Sequence, residues 1–454
     1  MSENGIDGFK GALFTEDAAG YDEARSVFNA MIDRRPAYIA QCTDADDVIA
    51  ALDFARGKGL PVSVRSGGHS VAGNSLVDDG LVVDMRNVNA VSVDPDARTA
   101  TVGGGATWSH FDRAAQPHGL ATTGGRVSTT GVAGLTLGGG SGWFERKFGL
   151  ACDNLISVDL VTADGRQVTA SEDENPELFW ALHGGGGNFG IATSFEFRLH
   201  PLPVATLALL LFPVERGPEV LRRYREFAEQ APDELGGGAI YLTGPPEPFV
   251  PEHLQGRLVL GVGVMFAGGE GEAREVAAPM FELSPEGEMV AEMPYAELQC
   301  ALDDPPGFRN YWSAEHLEQF PDEAVELFCA RAEDMVVPSP SQQIVVPWGG
   351  AVARNAGDWP LASRHALWTV HPFGLWSDPA DDERGKGWAR ATCDDMKPYA
   401  TGDVYLNFTG DEGEERVRAG FGGAYERVAA VKAEWDPDNI FRQNHNVKPV
   451  SAAA

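Results

Sequence analysis

Glycine placement constrains this chain more than any other feature. Of the 29 glycines in the first 200 residues, 16 gather in three stretches: VRSGGHSVAGNS (64–75), TTGGRVSTTGVAGLTLGGGSGW (122–143, with eight glycines) and HGGGGNFGIATSFEF (183–197). Ordering glycine costs more backbone entropy than ordering any other residue, so such runs persist where a ligand or another backbone must come close. In the first stretch a strand delivers the chain into Ser66-Gly67-Gly68, where consecutive N–H groups can turn toward an anion such as pyrophosphate. His69 ends that loop, placed to touch whatever the phosphate carries; a tight turn with a surface histidine is the plainer alternative. A flat, elongated cofactor accounts for a second glycine-rich stretch in the same region. A mere linker would not carry Val, Leu, Thr and Trp so regularly. In the third stretch Gly185, Gly187 and Gly190 satisfy GxGxxG, but the helix-like PELFWALH precedes it and a strand follows, the reverse of the dinucleotide-binding order. No Walker loop, HExxH zinc helix or GxSxG elbow occurs, which removes kinases, zincins and the common hydrolases.

Around these stretches, residues 38–200 alternate short helices and strands. The run TDADDVIAALDFARGKG carries an N-cap, acidic residues in its first turn and closing glycines, and so predicts a helix. PVSVR, LVVDM and ATSFEFRL read as strands, and VSVDPDARTATV and VDLVTADGRQVT as hairpins. His200-Pro201-Leu202-Pro203 breaks the pattern. Beyond it ALALLLF, GAIYLT, LVLGVGVMF, IVVPWGGAV and RHALWTVHPF predict a sheet with covering helices, a wall suited to a substrate pocket. The tail holds one amphipathic helix, AYERVAAVKAEW, stopped by Asp436-Pro437. The expected division is 1–203, 204–403 and 404–454.

Charge and cysteine limit the partners. A net charge of −32 argues against nucleic acid or an anionic membrane, since phosphate binding needs clustered Lys and Arg. It suits a solvating surface in a salt-rich interior, where like charges are screened. The five cysteines are scattered, with no CxxC pair, so neither a disulfide framework nor structural zinc is expected. The start lacks a secretory pattern and no apolar run is long enough to span a bilayer, which makes a cytoplasmic location the default. His365 and His371 fall on expected strand positions of one face, yet no third ligand accompanies them; core or pocket-lining roles are the better reading, and no metal is expected. Tyr311, Trp312 and Trp368 are candidates to stack on a flat substrate, or to pack a core.

Together these segments resemble the FAD-linked oxidases of the vanillyl-alcohol oxidase, or PCMH-type, superfamily, and within it the berberine-bridge-enzyme-like branch. The resemblance runs from about Pro36 to Pro203 and resumes from Tyr405 to Pro449; PYAELQCALDD, RNYWSAEHL and SRHALW match more loosely. It implies an α+β fold, with a two-part FAD-binding domain and a substrate domain whose antiparallel sheet is covered by helices. It implies that His69 of RSGGH is joined to the flavin 8α-methyl. Val127 stands where many relatives carry a second, cysteinyl link, so a single bond is expected; Cys152 lies too far along to substitute. The same likeness makes Arg65, Ser66, Gly67, Gly68, His69 and Ser70 the pyrophosphate loop. It sets Thr129, Thr130, Gly131 and Gly134 near the isoalloxazine, and Gly139, Gly140, Asp153, Asn154, Gly190 and Ile191 along the cofactor. Asn444 and Asn446 would face the flavin. Tyr405 of YLN would take a proton from a substrate hydroxyl or amine while hydride passes to flavin N5. The implied reaction oxidises a small alcohol, sugar or amine-bearing metabolite, with O2 reoxidising the flavin to give H2O2. A dehydrogenase using another acceptor, and a flavin-containing binding or resistance protein, are the alternatives.

Overall fold

The computed structural model describes residues 5–357 and 359–450. Its first sheet runs in the order Ala12–Phe14, Tyr38–Gln41, Leu81–Asp84, Val62–Arg65, with the last three strands parallel. The crossover helix Ala45–Lys58 starts where the Asp44 carboxylate accepts from Asp47 N at 3.0 Å, and ends at Gly59, whose φ of 68° suits a residue without Cβ. Its buried face is Val48, Ala51, Leu52 and Ala55. The central strand Leu81–Asp84 is buried on both sides, as a parallel strand under a crossover helix must be.

Both expected hairpins form and share a five-stranded antiparallel sheet: Val91–Asp94 with Thr99–Gly103, and Leu155–Val161 with Gln167–Ser171, joined through Ile191–Arg198. Gly165 makes the second turn at φ 85°.

The later strands build an eight-stranded antiparallel sheet. Its order is Gly287–Met293, Ala205–Pro213, Leu258–Phe266, Leu235–Thr243, Gln342–Pro347, Trp368–Trp376, Arg309–Trp312, with Glu315–Leu317 also on Trp368–Trp376. Side chains alternate across it, as the period of two requires. Leu210, Val262, Ala239, Val345 and Val370 face an apolar layer built with the helices Gly217–Gln230, Asp322–Ala332 and Asp382–Met396. Their neighbours Leu209, Met265, Ile240, Ile344 and His371 face the other way, into a cavity. The tail helix Tyr425–Trp435 packs into the same apolar cluster as Leu178, Trp180 and Phe195. The architecture is α+β. No described helix is long and apolar enough to cross a membrane.

Candidate functional site

One cavity of about 630 Å³ runs between the glycine-rich loops and the face of the large sheet opposite its three helices. The strand Val62–Arg65 feeds its first wall, where Ser66, Gly67, Gly68, His69 and Ser70 all reach the lining. Arg65 does not. Its guanidinium turns back to donate to the carbonyls of Ala24 and Ser26, and burial pushes its pKa down to about 10. It braces the loop from behind, a correction to its expected place in the pyrophosphate loop.

The two first glycine stretches meet face to face. A Cβ on Gly67 would stand 2.2 Å from Gly131 N, and one on Gly131 would stand 2.3 Å from Gly67 N. Thr130, Gly131 and Gly134 line the cavity, and beside Gly134 there is open space. Thr129 lies just behind, its Oγ1 2.9 Å from His69 Nε2, while Thr130 Oγ1 is 3.4 Å from His69 Nδ1. The His69 ring stacks on Phe28 at 4.2 Å. Burial pushes its pKa down to about 4, so the imidazole is neutral at pH 7.

Gly190 and Ile191 line the far end together with Gly185 and Gly187 of the GxGxxG pattern, joined by Gly184, Gly186 and Asn188, which no sequence motif marked individually. The glycine run itself was the available signal. Asn444 reaches the lining and donates to the carbonyls of Gly187 and Phe441, leaving its own Oδ1 buried and unpartnered. Ser66 Oγ is likewise buried without a partner. Asn446 is off this lining and borders a smaller surface hollow.

Four further expected positions lie beneath the cavity rather than along it. Gly139 and Gly140 take φ of 118° and 95°, and Gly140 N donates to Tyr405 Oη. Asp153 is locked to Arg364 at 2.5 Å with both side chains buried, and Asn154 donates to the carbonyls of Phe148 and Leu150. Cys152 is buried beside the same arginine, off the lining, while Val127 lines it.

Tyr405 is the largest departure from expectation. Its side chain is 1% exposed, belongs to the core and does not line the cavity. Its oxygen accepts from Gly140 N (2.7 Å), Ser141 N (2.8 Å) and Asn407 Nδ2 (3.1 Å). Burial pushes the phenol pKa up. A hydroxyl so placed holds a backbone turn, one layer behind the lining residues Ser141 and Asn407. Two residues on, Asn407 does line the cavity.

The sheet-side wall is mostly apolar, with Trp143, Trp312, Phe373 and Phe408 among its aromatic members. Trp368 faces the helix-covered layer instead. Tyr311 turns outward beneath Arg390. His365 sits on the short turn Ala362–His365 rather than on a strand, so it shares no face with His371. No group of three or more His, Cys, Asp or Glu suited to a metal ion occurs among the described residues.

Family models for an FAD binding domain and for "Berberine and berberine like" match residues 36–171 and 404–448. The chain is 30% identical over 455 residues to (R)-6-hydroxynicotine oxidase of Paenarthrobacter nicotinovorans, covering 97% of both. A crystal structure of 6-hydroxy-D-nicotine oxidase from Arthrobacter nicotinovorans superposes with a TM-score of 0.84 at 28% identity, over 97% of this chain and 98% of that one. The berberine-bridge-like protein 1 of Physcomitrella patens superposes at 0.87 with 23% identity, over 98% of each chain, a likeness of fold.

Proposed function

The chain belongs to the FAD-linked oxidoreductases that pair an FAD-binding domain with a berberine-like segment, and from that premise we propose that FAD occupies the glycine-lined half of the cavity, bonded to His69, while a small organic substrate is oxidised against the sheet-lined half. The observation that carries this reading is His69 itself: a neutral imidazole, held between two threonine hydroxyls and a phenyl ring, beside two glycine segments packed too closely for any side chain.

The residues present fit the cofactor. Ser66 Oγ and Asn444 Oδ1 are buried polar atoms that lack partners within the protein, and the N–H groups of the 66–70 loop suit a pyrophosphate. Gly134, with nothing within 4 Å of where its Cβ would stand, leaves open space in the lining for a flat ring system. A neutral His69 keeps the lone pair that a bond to the ring methyl needs. Val127 offers no thiol, which supports a single link. FAD bound there supplies the two-electron chemistry, taking hydride from a substrate carbon and passing the electrons to O2 as H2O2. We assign 1–203 and 404–454 to holding the cofactor and 204–403 to the substrate; Phe195, Tyr405 and Val428 share one core, which Trp348, Val352, Leu361 and Ala366 of the middle segment also join.

Denatured protein should run as a fluorescent band in acid and carry the added mass of one FAD, and His69→Ala should lose both. A colourless wild-type band of unmodified mass would remove the covalent bond from this account. Peroxide release on turnover distinguishes the oxidase from a dehydrogenase, whose flavin would bleach without peroxide; a protein that neither holds FAD nor turns over would be a binding protein.

A further inference from the structure

Across the face of the large sheet that looks into the cavity, every described lining side chain but one is non-titratable. The strands contribute Leu209, Ile240, Leu242, Met265, Ile344 and Phe373 among others, and the exception is His371. Its ring is held from all sides. It stacks on Phe408 at 4.4 Å and meets Trp312 and Phe373 edge-on at 6.2 and 5.7 Å. Nδ1 lies 2.8 Å from Ser313 O. A carbonyl only accepts, so Nδ1 must carry the proton, and Nε2 is left with a lone pair. Nε2 has no hydrogen-bond partner among the described residues.

We propose that His371 Nε2 is the base that receives the hydroxyl proton of the substrate, and that the substrate is an apolar alcohol with few other polar groups. This deepens the flavin reading above and rests on it. In the step, the O–H bond breaks and its proton passes to Nε2. The α-C–H bond breaks with its electron pair, which FAD takes as hydride, and C–O becomes C=O. The imidazole is suited to begin neutral: burial holds its pKa down at about 4, the Ser313 bond opposes this slightly, and Arg126 adds to it. The sheet face suits an apolar substrate better than a sugar on the same grounds, the charged and polar lining groups such as Arg126, Asp303, Asp304 and Asn407 lying off it. A polyol would surrender water at several hydroxyls, whereas the sheet offers besides His371 only Thr243, bonded to Ser339 O, and Gln342, whose amide is bonded to Asp304.

The test uses FAD-loaded protein and two probes of nearly equal shape, 4-bromophenol and 4-bromoanisole, titrated by quenching of tryptophan fluorescence. The phenol offers a proton to Nε2 and the anisole does not. We expect the phenol to bind at least about tenfold more tightly to wild type, and this preference to vanish in His371→Phe while anisole binding and flavin content persist. It should survive in Tyr405→Phe. Equal binding of the two probes by wild type, or a preference that outlives His371→Phe, would overturn the assignment; so would glucose bleaching the flavin where 1-phenylethanol does not. With 1-phenylethanol as substrate, His371→Gln should lower the rate of anaerobic flavin bleaching by about 10²–10⁴-fold and remove the acid limb of its pH profile. The flavin reading fails separately, by a denaturing gel and native spectrum without flavin, an outcome the probe titrations neither need nor imitate.

Discussion

The oxygen of Tyr405 collects three N–H bonds from two segments, and that arrangement decides what the residue does. YLN places Tyr405 and Asn407 two apart, and the single turn Leu406–Phe408 points the first into the core and the second into the cavity. Asn407 donates both to Tyr405 Oη and to Leu135 O, which ties this turn to the second glycine-rich stretch. Tyr405→Phe should therefore act on stability. It strips the acceptor from the buried N–H groups of Gly140 and Ser141, at about 1–3 kcal/mol for each donor left bare, read as a lower denaturant midpoint. The pH profile of flavin reduction should keep its shape; an acid limb that moved or vanished would return Tyr405 to the chemistry. His69 contrasts with it, since its motif loop carries it directly into the cavity.

Between elements, the decisive contact is the meeting of the 66–70 loop with the start of the helix Val132–Leu137. Neither Gly67 nor Gly131 has a positive φ, so what each supplies is absence of bulk. Gly131→Ala would drive a Cβ to 2.3 Å from Gly67 N and 2.5 Å from Ser66 Oγ. It should fold with a lowered melting temperature and little bound flavin. Gly134→Ala, with nothing within 4 Å, should keep or raise stability, by up to about 1 kcal/mol as a helix gains alanine, and lose flavin only through the methyl it puts into the cavity. Thermal unfolding and the flavin-to-protein absorbance ratio separate the two; full flavin and an unshifted melting point in Gly131→Ala would contradict the packing argument. The tail is tied down by a buried pair: Lys432 Nζ donates to Asp436 at 2.5 Å and to the carbonyls of Asn188 and Phe441. That anchorage brings Asn444 to the glycine loop. The glycine runs announced the close approach, but Gly131 lies 64 residues from Gly67 and Asn444 lies 257 from Gly187, and no local pattern names either partner.

Over the whole molecule, charge and burial act in opposite directions as pH falls. With a net charge of −32, repulsion weakens the compact state, and at 1 M salt, where screening reaches about 3 Å, that penalty largely disappears. The melting temperature at pH 7 should rise between 0.05 and 1 M KCl. His183, His200 and His371 are each pushed down from 6.5 to about 4 by burial. Between those values the unfolded chain binds more protons than the folded one, so stability is fully present above about 6.5 and is lost as pH falls toward about 4. Melting curves in 1 M KCl, with repulsion screened, should show that decline; a flat profile from pH 6.5 to 4.5 would mean that these rings are not neutral in the fold. Strands, hairpins, the capped helix and the glycine-rich loops were legible because propensity, period and turn chemistry reside in adjacent residues. So was the place of His69, carried by a motif. What lay beyond any local window was orientation. Asp153, Asn154 and Arg65 sit beneath or behind the cavity because buried charges and amides must find partners, and those partners are distant in the chain. Tyr405 turns inward because the N–H groups that hold it lie 265 and 264 residues away. His371 faces the cavity because three helices cover the opposite side of its sheet, and a strand has only two faces to offer.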